Sequence, residues 1–126
     1  MPTDLTLDQI YLLVNEASQL DRSFALQLFF IVFTGCYVEE SCDLAWEDVY
    51  LDEREVRFGE KKYQLNIDAL QILSGCSREF DPYVFSYRHP SQIHNKTRIL
   101  ERRIGDKFTV ATLRKAYAAL TWWKPL

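Results

Sequence analysis

The sequence predicts one mainly helical domain with a single small antiparallel β-hairpin, an α+β arrangement. Three observations lead to this prediction. Apolar residues make up 48% of the 126 residues, and a chain of this length can bury a core of its own. Glycine and proline are scarce, at four residues each. Apolar positions recur mostly at helical spacing and alternate with polar ones over only two short stretches.

The first two helices have clear boundaries in the sequence. Thr6 and Gln9 have the spacing of a capping box, and apolar residues follow at helical intervals. Asp21 is expected to cap a second helix over residues 22–34. This segment is apolar on nearly every face, which indicates a central, buried helix. Gly35 is expected to end it, as glycine commonly does just past a helix.

A short third helix is predicted over residues 38–45, and the pattern then changes to alternation. Residues 55–58 and 63–67 alternate between apolar and polar side chains. Residues 59–62, which separate them, have the composition of a hairpin turn. Asp68 is expected to cap the short helix that follows.

Two further helices complete the prediction. Ser91 or Asn95 is expected to begin a basic helix that ends at Ile104. Thr109 is expected to cap a last helix that runs towards Trp122.

The charge is distributed unevenly, although the net charge is only −3. Residues 1–60 carry three basic side chains against thirteen acidic ones, whereas residues 87–115 carry eight basic ones against two acidic ones. This asymmetry favours a polyanion-binding face on an acidic body, and the alternative is an ordinary solvated helix face. The acidic run over residues 39–55 is either a solvated face or a mimic of DNA phosphates. The eight basic candidates for DNA binding are Arg88, Lys96, Arg98, Arg102, Arg103, Lys107, Arg114 and Lys115.

Several classes of protein are excluded by the composition. No apolar run approaches the length of about 20 residues that crosses a bilayer, and the N-terminus lacks the features of a signal peptide. The three cysteines are odd in number and have no Cys-x-x-Cys spacing, which is typical of reduced thiols. We therefore expect a cytoplasmic protein with no membrane partner, no cofactor, no metal site and no evident small-molecule substrate.

Two segments resemble the catalytic boxes of a known family. Residues 34–49 read TGCYVEESCDLAWEDV. This segment resembles the first box of the tyrosine recombinases, or phage integrases, which usually reads Thr-Gly, apolar, Arg, apolar, Ser-Glu, with Leu-x-Trp-x-Asp-Ile after it. Residues 108–118 read FTVATLRKAYA and are similar to the second box, usually Thr-Pro-His-Asp-Leu-Arg-His-Thr-Phe-Ala. The resemblance covers roughly residues 5–120 and implies a tyrosine-recombinase catalytic-domain fold.

The family's chemistry needs groups that this chain holds only in part. The resemblance implies that two arginines bind the non-bridging phosphate oxygens, because a guanidinium donates two parallel hydrogen bonds and stays charged. Here Tyr37 stands at the first arginine position and Ala111 at the histidine position, while Arg114 remains at the second arginine position. The general-acid lysine of the hairpin corresponds to Lys61 or Lys62, and we assign it to Lys62.

The family's nucleophilic tyrosine lies well beyond the second arginine. Tyr117 is the only tyrosine after Arg114, and it fits a buried aromatic position of the box instead. The resemblance therefore implies one degenerate, truncated integrase-like catalytic domain over residues 1–126, without the nucleophile segment. Arg114 has two interpretations, a retained phosphate contact or a structural arginine paired with a carboxylate, for which Glu40 is the candidate.

Three hypotheses of function follow. The first is a non-catalytic integrase-like module from a mobile genetic element, a pseudoenzyme that binds duplex DNA weakly through residues 87–115. The second is an interaction module that associates with a recombinase or with itself, through the acidic face or through the groove in which the family's C-terminal helices dock. Trp122 and Trp123 are candidates to cover that groove or to bind a partner, and the alternative for one of them is core packing. The third is a domain that folds but retains no task.

Overall fold

The structure, a computed structural model, describes residues 5–121. Six α-helices and three short β-strands follow one another along this part of the chain. In chain order they are α1 (Leu7–Leu20), α2 (Arg22–Thr34), α3 (Val38–Asp43), β1 (Val49–Tyr50), β2 (Glu55–Phe58), β3 (Lys61–Gln64), α4 (Ile67–Ser74), α5 (Pro90–Ile104) and α6 (Val110–Thr121). The predicted class, mainly helical with a small antiparallel sheet, is confirmed. None of the helices within residues 5–121 is long and apolar enough to cross a membrane.

Helix α2 forms the centre of the core. It packs against α1, α4 and α6, and every residue from Phe24 to Phe33 except Leu26 is buried. The Asp21 carboxylate accepts a hydrogen bond from the Phe24 N–H at 3.1 Å, and Gly35 ends the helix with φ at +83°. The prediction of a central, buried helix with these two boundaries is confirmed.

Helix α1 begins with the capping box that the sequence predicts. The Gln9 N–H donates to the Thr6 hydroxyl at 3.2 Å, and the Thr6 N–H donates to the Gln9 side chain at 2.8 Å. Two free N–H groups at the start of the helix are thereby satisfied.

The sheet has one more strand and a tighter turn than predicted. Its strand order is β1-β2-β3, with both pairs antiparallel. Lys61 already pairs with Phe58, so only Gly59 and Glu60 lie in the turn. Gly59 has φ at +64°, a conformation that suits a two-residue hairpin turn and that glycine adopts without strain.

Helix α3 ends at Asp43 rather than at residue 45. Leu44 is fully buried and extended, and its carbonyl accepts a hydrogen bond from the Val84 N–H at 3.0 Å. Ala45 then forms an antiparallel bridge with Tyr83. Pairing with the extended segment around residue 84 therefore replaces the last helical turn.

Two helix starts also differ from the prediction. Helix α4 is capped by Asn66, whose side chain accepts from the Ala69 N–H at 2.9 Å. Asp68, the predicted cap, instead accepts hydrogen bonds from two tyrosines, as described below. Helix α5 begins at Pro90, ahead of both predicted starts, because proline fits the first helical position without losing a needed N–H.

Helix α6 starts as predicted. The Thr112 N–H donates to the Thr109 hydroxyl at 3.1 Å. The helix is described as far as Thr121, and the predicted positions of Trp122 and Trp123 lie outside the described residues.

The tyrosines that contact Asp68 connect three helices. The Tyr117 hydroxyl of α6 donates to the Asp68 carboxylate at 2.5 Å, and the Tyr11 hydroxyl of α1 donates to the same oxygen at 3.0 Å. Burial and the neighbouring carboxylate raise the pKa of Tyr117 well above its ordinary value. Tyr117 is therefore a buried structural residue, as the sequence predicts.

Candidate functional site

The two box segments meet in space. Tyr37 precedes α3 and is 51% exposed, and Arg114 lies in the second turn of α6. The Arg114 guanidinium donates to the Cys36 carbonyl at 3.0 Å, and its carbon lies 4.8 Å from the centre of the Tyr37 ring. This distance is within the range of a cation–π contact. Tyr37 and Arg114, which the resemblance places at the two arginine positions, thus lie beside each other.

The hairpin supplies a second cation to the same ring. The Lys61 ammonium lies 4.6 Å from the centre of the Tyr37 ring and 5.0 Å from that of Tyr63. Lys62 is paired with Arg57 across the hairpin and, since side chains alternate along a strand, faces away from Lys61. The structure therefore brings Lys61 to the site and not Lys62, which we had assigned from the sequence.

Glu40 connects this lysine to the first box. Its carboxylate accepts the Tyr37 N–H at 2.8 Å and the Tyr63 hydroxyl at 2.7 Å, and it lies 3.3 Å from the Lys61 ammonium. Partial burial opposes ionisation, but these three donors outweigh it and hold the pKa of Glu40 below its ordinary value. Glu40 therefore pairs with Lys61, and the interpretation that it pairs with Arg114 is wrong.

Tyr63 is the member of this group that the sequence analysis missed. Lys61 and Tyr63 are two residues apart on β3, and side chains at that spacing lie on one face of a strand. With the start of β3 known, this spacing would have predicted that Tyr63 lies beside Lys61.

Ala111 changes the site in a simpler way. It lies in the first turn of α6 and is exposed. Its methyl group neither donates nor accepts a proton, so the position offers no acid or base. Tyr37 supplies a neutral phenol with one donor, where a guanidinium would supply charge and a fork of donors.

The basic segment over residues 87–115 does not form one continuous face. Lys96 pairs with Asp21 at 3.1 Å, and Arg103 pairs with Glu16 at 2.9 Å. Arg88 donates to the Cys42 carbonyl at 2.6 Å. With Arg114, which donates to the Cys36 carbonyl, four of the predicted DNA contacts are therefore engaged with the protein itself.

The reason for this division is visible in the helix geometry. Lys96 and Arg103 are seven residues apart and lie on the side of α5 that faces α1 and the start of α2, where the acidic residues stand. Arg98 and Arg102 are four residues apart and lie on the opposite, solvent side. The sequence spacing contained this distinction, but the identity of the packing face was not known.

The remaining cations gather at the end of α5. Arg98, Arg102 and Lys107 are exposed and line one open hollow of about 400 Å³. Glu101 and Asp106 also line it, but their carboxylates accept the backbone N–H groups of Phe108 and Lys107, each at 2.9 Å. Within residues 5–121, none of these three cations forms an ion pair with a carboxylate. Lys115 is exposed on α6.

A second hollow is apolar and lies between α1 and the end of α5. It has a volume of about 390 Å³. Leu12, which is 64% exposed, and Ile104 contribute to it, and the Glu16–Arg103 pair stands at its edge.

The described residues show no arrangement for metal or thiol chemistry. No cluster of three or more histidine, cysteine or carboxylate side chains that could hold a metal occurs among residues 5–121. All three cysteines are free thiols. Burial raises the pKa of Cys36 to about 12 and that of Cys76 to about 11, so both are poor nucleophiles near neutral pH.

Comparison with solved structures identifies the fold. The crystal structure of XerA recombinase matches with a TM-score of 0.74 and 23% identity, over 94% of this chain and 50% of that chain. A lambda integrase dimer bound to a COC′ core site matches with a TM-score of 0.73 and 20% identity, over 95% of this chain and 41% of that chain. The lambda integrase catalytic core matches with a TM-score of 0.70 and 20% identity, over 93% of this chain and 81% of that chain.

These matches confirm the predicted tyrosine-recombinase, integrase-like fold. The chain spans half the length of XerA recombinase and less than half of the DNA-bound integrase chain. The sequence itself matches no protein-family model and no curated protein.

Proposed function

We propose that this domain is a non-catalytic integrase-like module of a mobile genetic element that binds duplex DNA weakly. The observation that carries the proposal is the hollow lined by Arg98, Arg102 and Lys107, three exposed cations with no carboxylate partner among residues 5–121, on an otherwise acidic chain. Such cations bind phosphates without reading base sequence. Two of the similar structures are lambda integrase assemblies bound to DNA, a core site and a Holliday junction.

The site around Tyr37 supports the non-catalytic part of the proposal. Removal of one preorganised donor from an anion-stabilising site commonly costs about 10²–10³ in rate. Here a phenol replaces a guanidinium at Tyr37, and a methyl group replaces an imidazole at Ala111. Arg114 and Lys61 would still attract a phosphate, so the site retains weak anion binding without transfer chemistry. The proposal places this activity in the cytoplasm.

Duplex binding is tested by fluorescence anisotropy at two salt concentrations. We expect the affinity to fall steeply as salt rises, because bound phosphates release counterions. The double variant Arg98→Glu/Arg102→Glu should lose binding. The control is Arg22→Glu/Arg54→Glu, which makes the same charge change at exposed cations that do not line the α5 hollow and should bind nearly as wild type. Equal loss in both variants, or no loss in either, would rule out the α5 hollow as the DNA site.

A second candidate function is association with a recombinase or with another copy of this chain. The apolar hollow beside Leu12 favours it, because large exposed apolar surface often marks a protein-binding site. The similar lambda integrase structures are a dimer and a tetramer. Salt separates the two candidates, since an apolar contact does not weaken as salt rises.

A further inference from the structure

The Glu40 carboxylate already occupies the donors that an incoming anion would need. Its side chain is only 18% exposed, and it takes one backbone N–H, one phenol and one ammonium, from Tyr37, Tyr63 and Lys61. A phosphate oxygen makes the same kinds of bonds. The Glu40 carboxylate therefore makes the contacts that a bound phosphate would otherwise make with these donors.

Lys61 is the movable member of this group. Its side chain is 48% exposed, and its ammonium is held by Glu40 and by the rings of Tyr37 and Tyr63. Lysine has a flexible four-carbon stem, so the ammonium can exchange one anion for another without movement of the strand. Arg114, in contrast, is fixed by its bond to the Cys36 carbonyl.

We propose that Glu40 is an autoinhibitory counter-ion, which holds Lys61 away from external anions. A phosphate group binds between Lys61 and Arg114 only when it displaces the Glu40 carboxylate from Lys61. The inference rests on the proposed function for the nature of the natural ligand, a nucleic-acid phosphate. According to this inference, anion binding at the site is weak for two reasons: Glu40 competes for Lys61, and a tyrosine occupies position 37.

Inorganic phosphate is the probe, and its binding is followed by nuclear magnetic resonance of the Tyr37, Lys61 and Arg114 side chains. Glu40→Gln keeps an acceptor for the Tyr37 N–H but removes the charge. We expect it to bind phosphate roughly tenfold more tightly than wild type, the size of effect expected from one nearby charge at a partly exposed site. The matched control is Glu39→Gln, the same charge change at the adjacent exposed position, and it should gain little.

A double variant separates release of Lys61 from a general change of charge. In Glu40→Gln/Lys61→Met the gain in phosphate affinity should disappear. Retention of the gain in the double variant, or an equal gain in Glu39→Gln, would overturn the proposal. Should Glu40→Gln fail to fold, the wild-type protein still gives the answer. Saturating phosphate should shift the Glu40 carboxylate carbon resonance as Lys61 leaves it, and an unchanged Glu40 resonance while Arg114 responds would equally overturn it.

Duplex DNA is titrated in parallel to keep the two proposals distinct. If phosphate binding tightens in Glu40→Gln while no variant binds duplex DNA, the inhibitory role of Glu40 stands and the DNA-binding function falls. If wild-type protein binds DNA through the α5 hollow while phosphate binding is the same in wild type and Glu40→Gln, the DNA-binding function stands and the inhibitory role falls.

Discussion

The Arg114 guanidinium lies over the Tyr37 ring, with 4.8 Å between the guanidinium carbon and the ring centre. The ring is electron-rich on its face and so stabilises the arginine without neutralising it. A carboxylate in the same place would have cancelled the positive charge. The Arg114 guanidinium therefore keeps its positive charge beside Tyr37.

The first prediction concerns strand transfer. We expect no covalent protein–DNA adduct when the protein is incubated with nicked suicide substrates, because no guanidinium pair is present to stabilise the transferring phosphate. Denaturing gel electrophoresis measures this, with an active recombinase as the positive control. An adduct that forms with wild type and disappears in Tyr37→Phe would contradict the prediction and would identify Tyr37 as the nucleophile.

The second prediction concerns self-association. If the apolar hollow is a protein-binding surface, Leu12→Lys should shift the mass measured by light scattering towards the monomer. Leu51→Lys is the matched control, since Leu51 is similarly exposed, at 55% against 64% for Leu12, and lies in a turn away from the hollow. If wild-type protein is monomeric at high concentration, the hypothesis of self-association is excluded. The surface could then bind only a different protein.

The third prediction concerns acid stability. Partial burial opposes ionisation of Asp21, but bonds from Tyr87, the Phe24 N–H and Lys96 prevail and lower the pKa of Asp21. A carboxyl group whose pKa is lowered by folding stabilises the folded state at pH values above its pKa in the unfolded chain, here near 3.8. This stabilisation is lost as the pH falls through the pKa of the group in the folded state. Asp21→Ala should cost about 1–2 kcal/mol at pH 7, as expected for a lost helix cap.

Chemical denaturation at several pH values measures this dependence. The difference in unfolding free energy between wild type and Asp21→Ala should stay constant from pH 7 to about pH 5 and narrow only at lower pH. Asp52→Ala, at an exposed position between β1 and β2, is the control and should cost little at any pH. A difference that narrows above pH 5 would contradict the assigned direction of the pKa shift.

The fourth prediction concerns the one buried amide of α2. The Gln27 side chain donates to the Tyr87 carbonyl at 2.9 Å and to the Ser41 hydroxyl at 3.1 Å, and it accepts from the Tyr87 N–H at 3.3 Å. Gln27→Leu removes the side-chain partner of the half-buried Tyr87 backbone groups. The buried Ser41 hydroxyl keeps only its bond to the Val38 carbonyl, at 2.7 Å. We expect the change to cost about 1–3 kcal/mol. Thermal unfolding measures it, with Gln64→Leu on the exposed strand as control.

Local chemistry accounts for the parts of the fold that the sequence predicted well. The ends of α2 were predictable because Asp21 and Gly35 act through their own neighbouring backbone. The end of α3 was not, because Leu44 leaves the helix to pair with Val84, a contact between segments far apart in sequence. The start of α4 was misassigned because Asn66 and Asp68 are both good caps, and only the distant Tyr11 and Tyr117 draw Asp68 away.

The candidate site was predicted to a similar degree. The box pattern assigned Tyr37, Ala111 and Arg114 to one site. It could not choose between Lys61 and Lys62, because that choice needs the strand register. It also could not separate paired from unpaired cations on α5, since Glu16 and Asp21 belong to the opposite end of the chain.

The contacts of Lys96 and Arg103 with the acidic N-terminal helices have a consequence for how the domain meets a nucleic acid. Two of the eight basic side chains of residues 87–115 are paired with carboxylates of the N-terminal helices, and the molecule as a whole is negative. Long-range steering towards a polyanion is therefore absent, and encounters occur by undirected diffusion. Useful occupancy would then come from tethering, in which a neighbouring module or subunit already on the nucleic acid raises the local concentration of this domain.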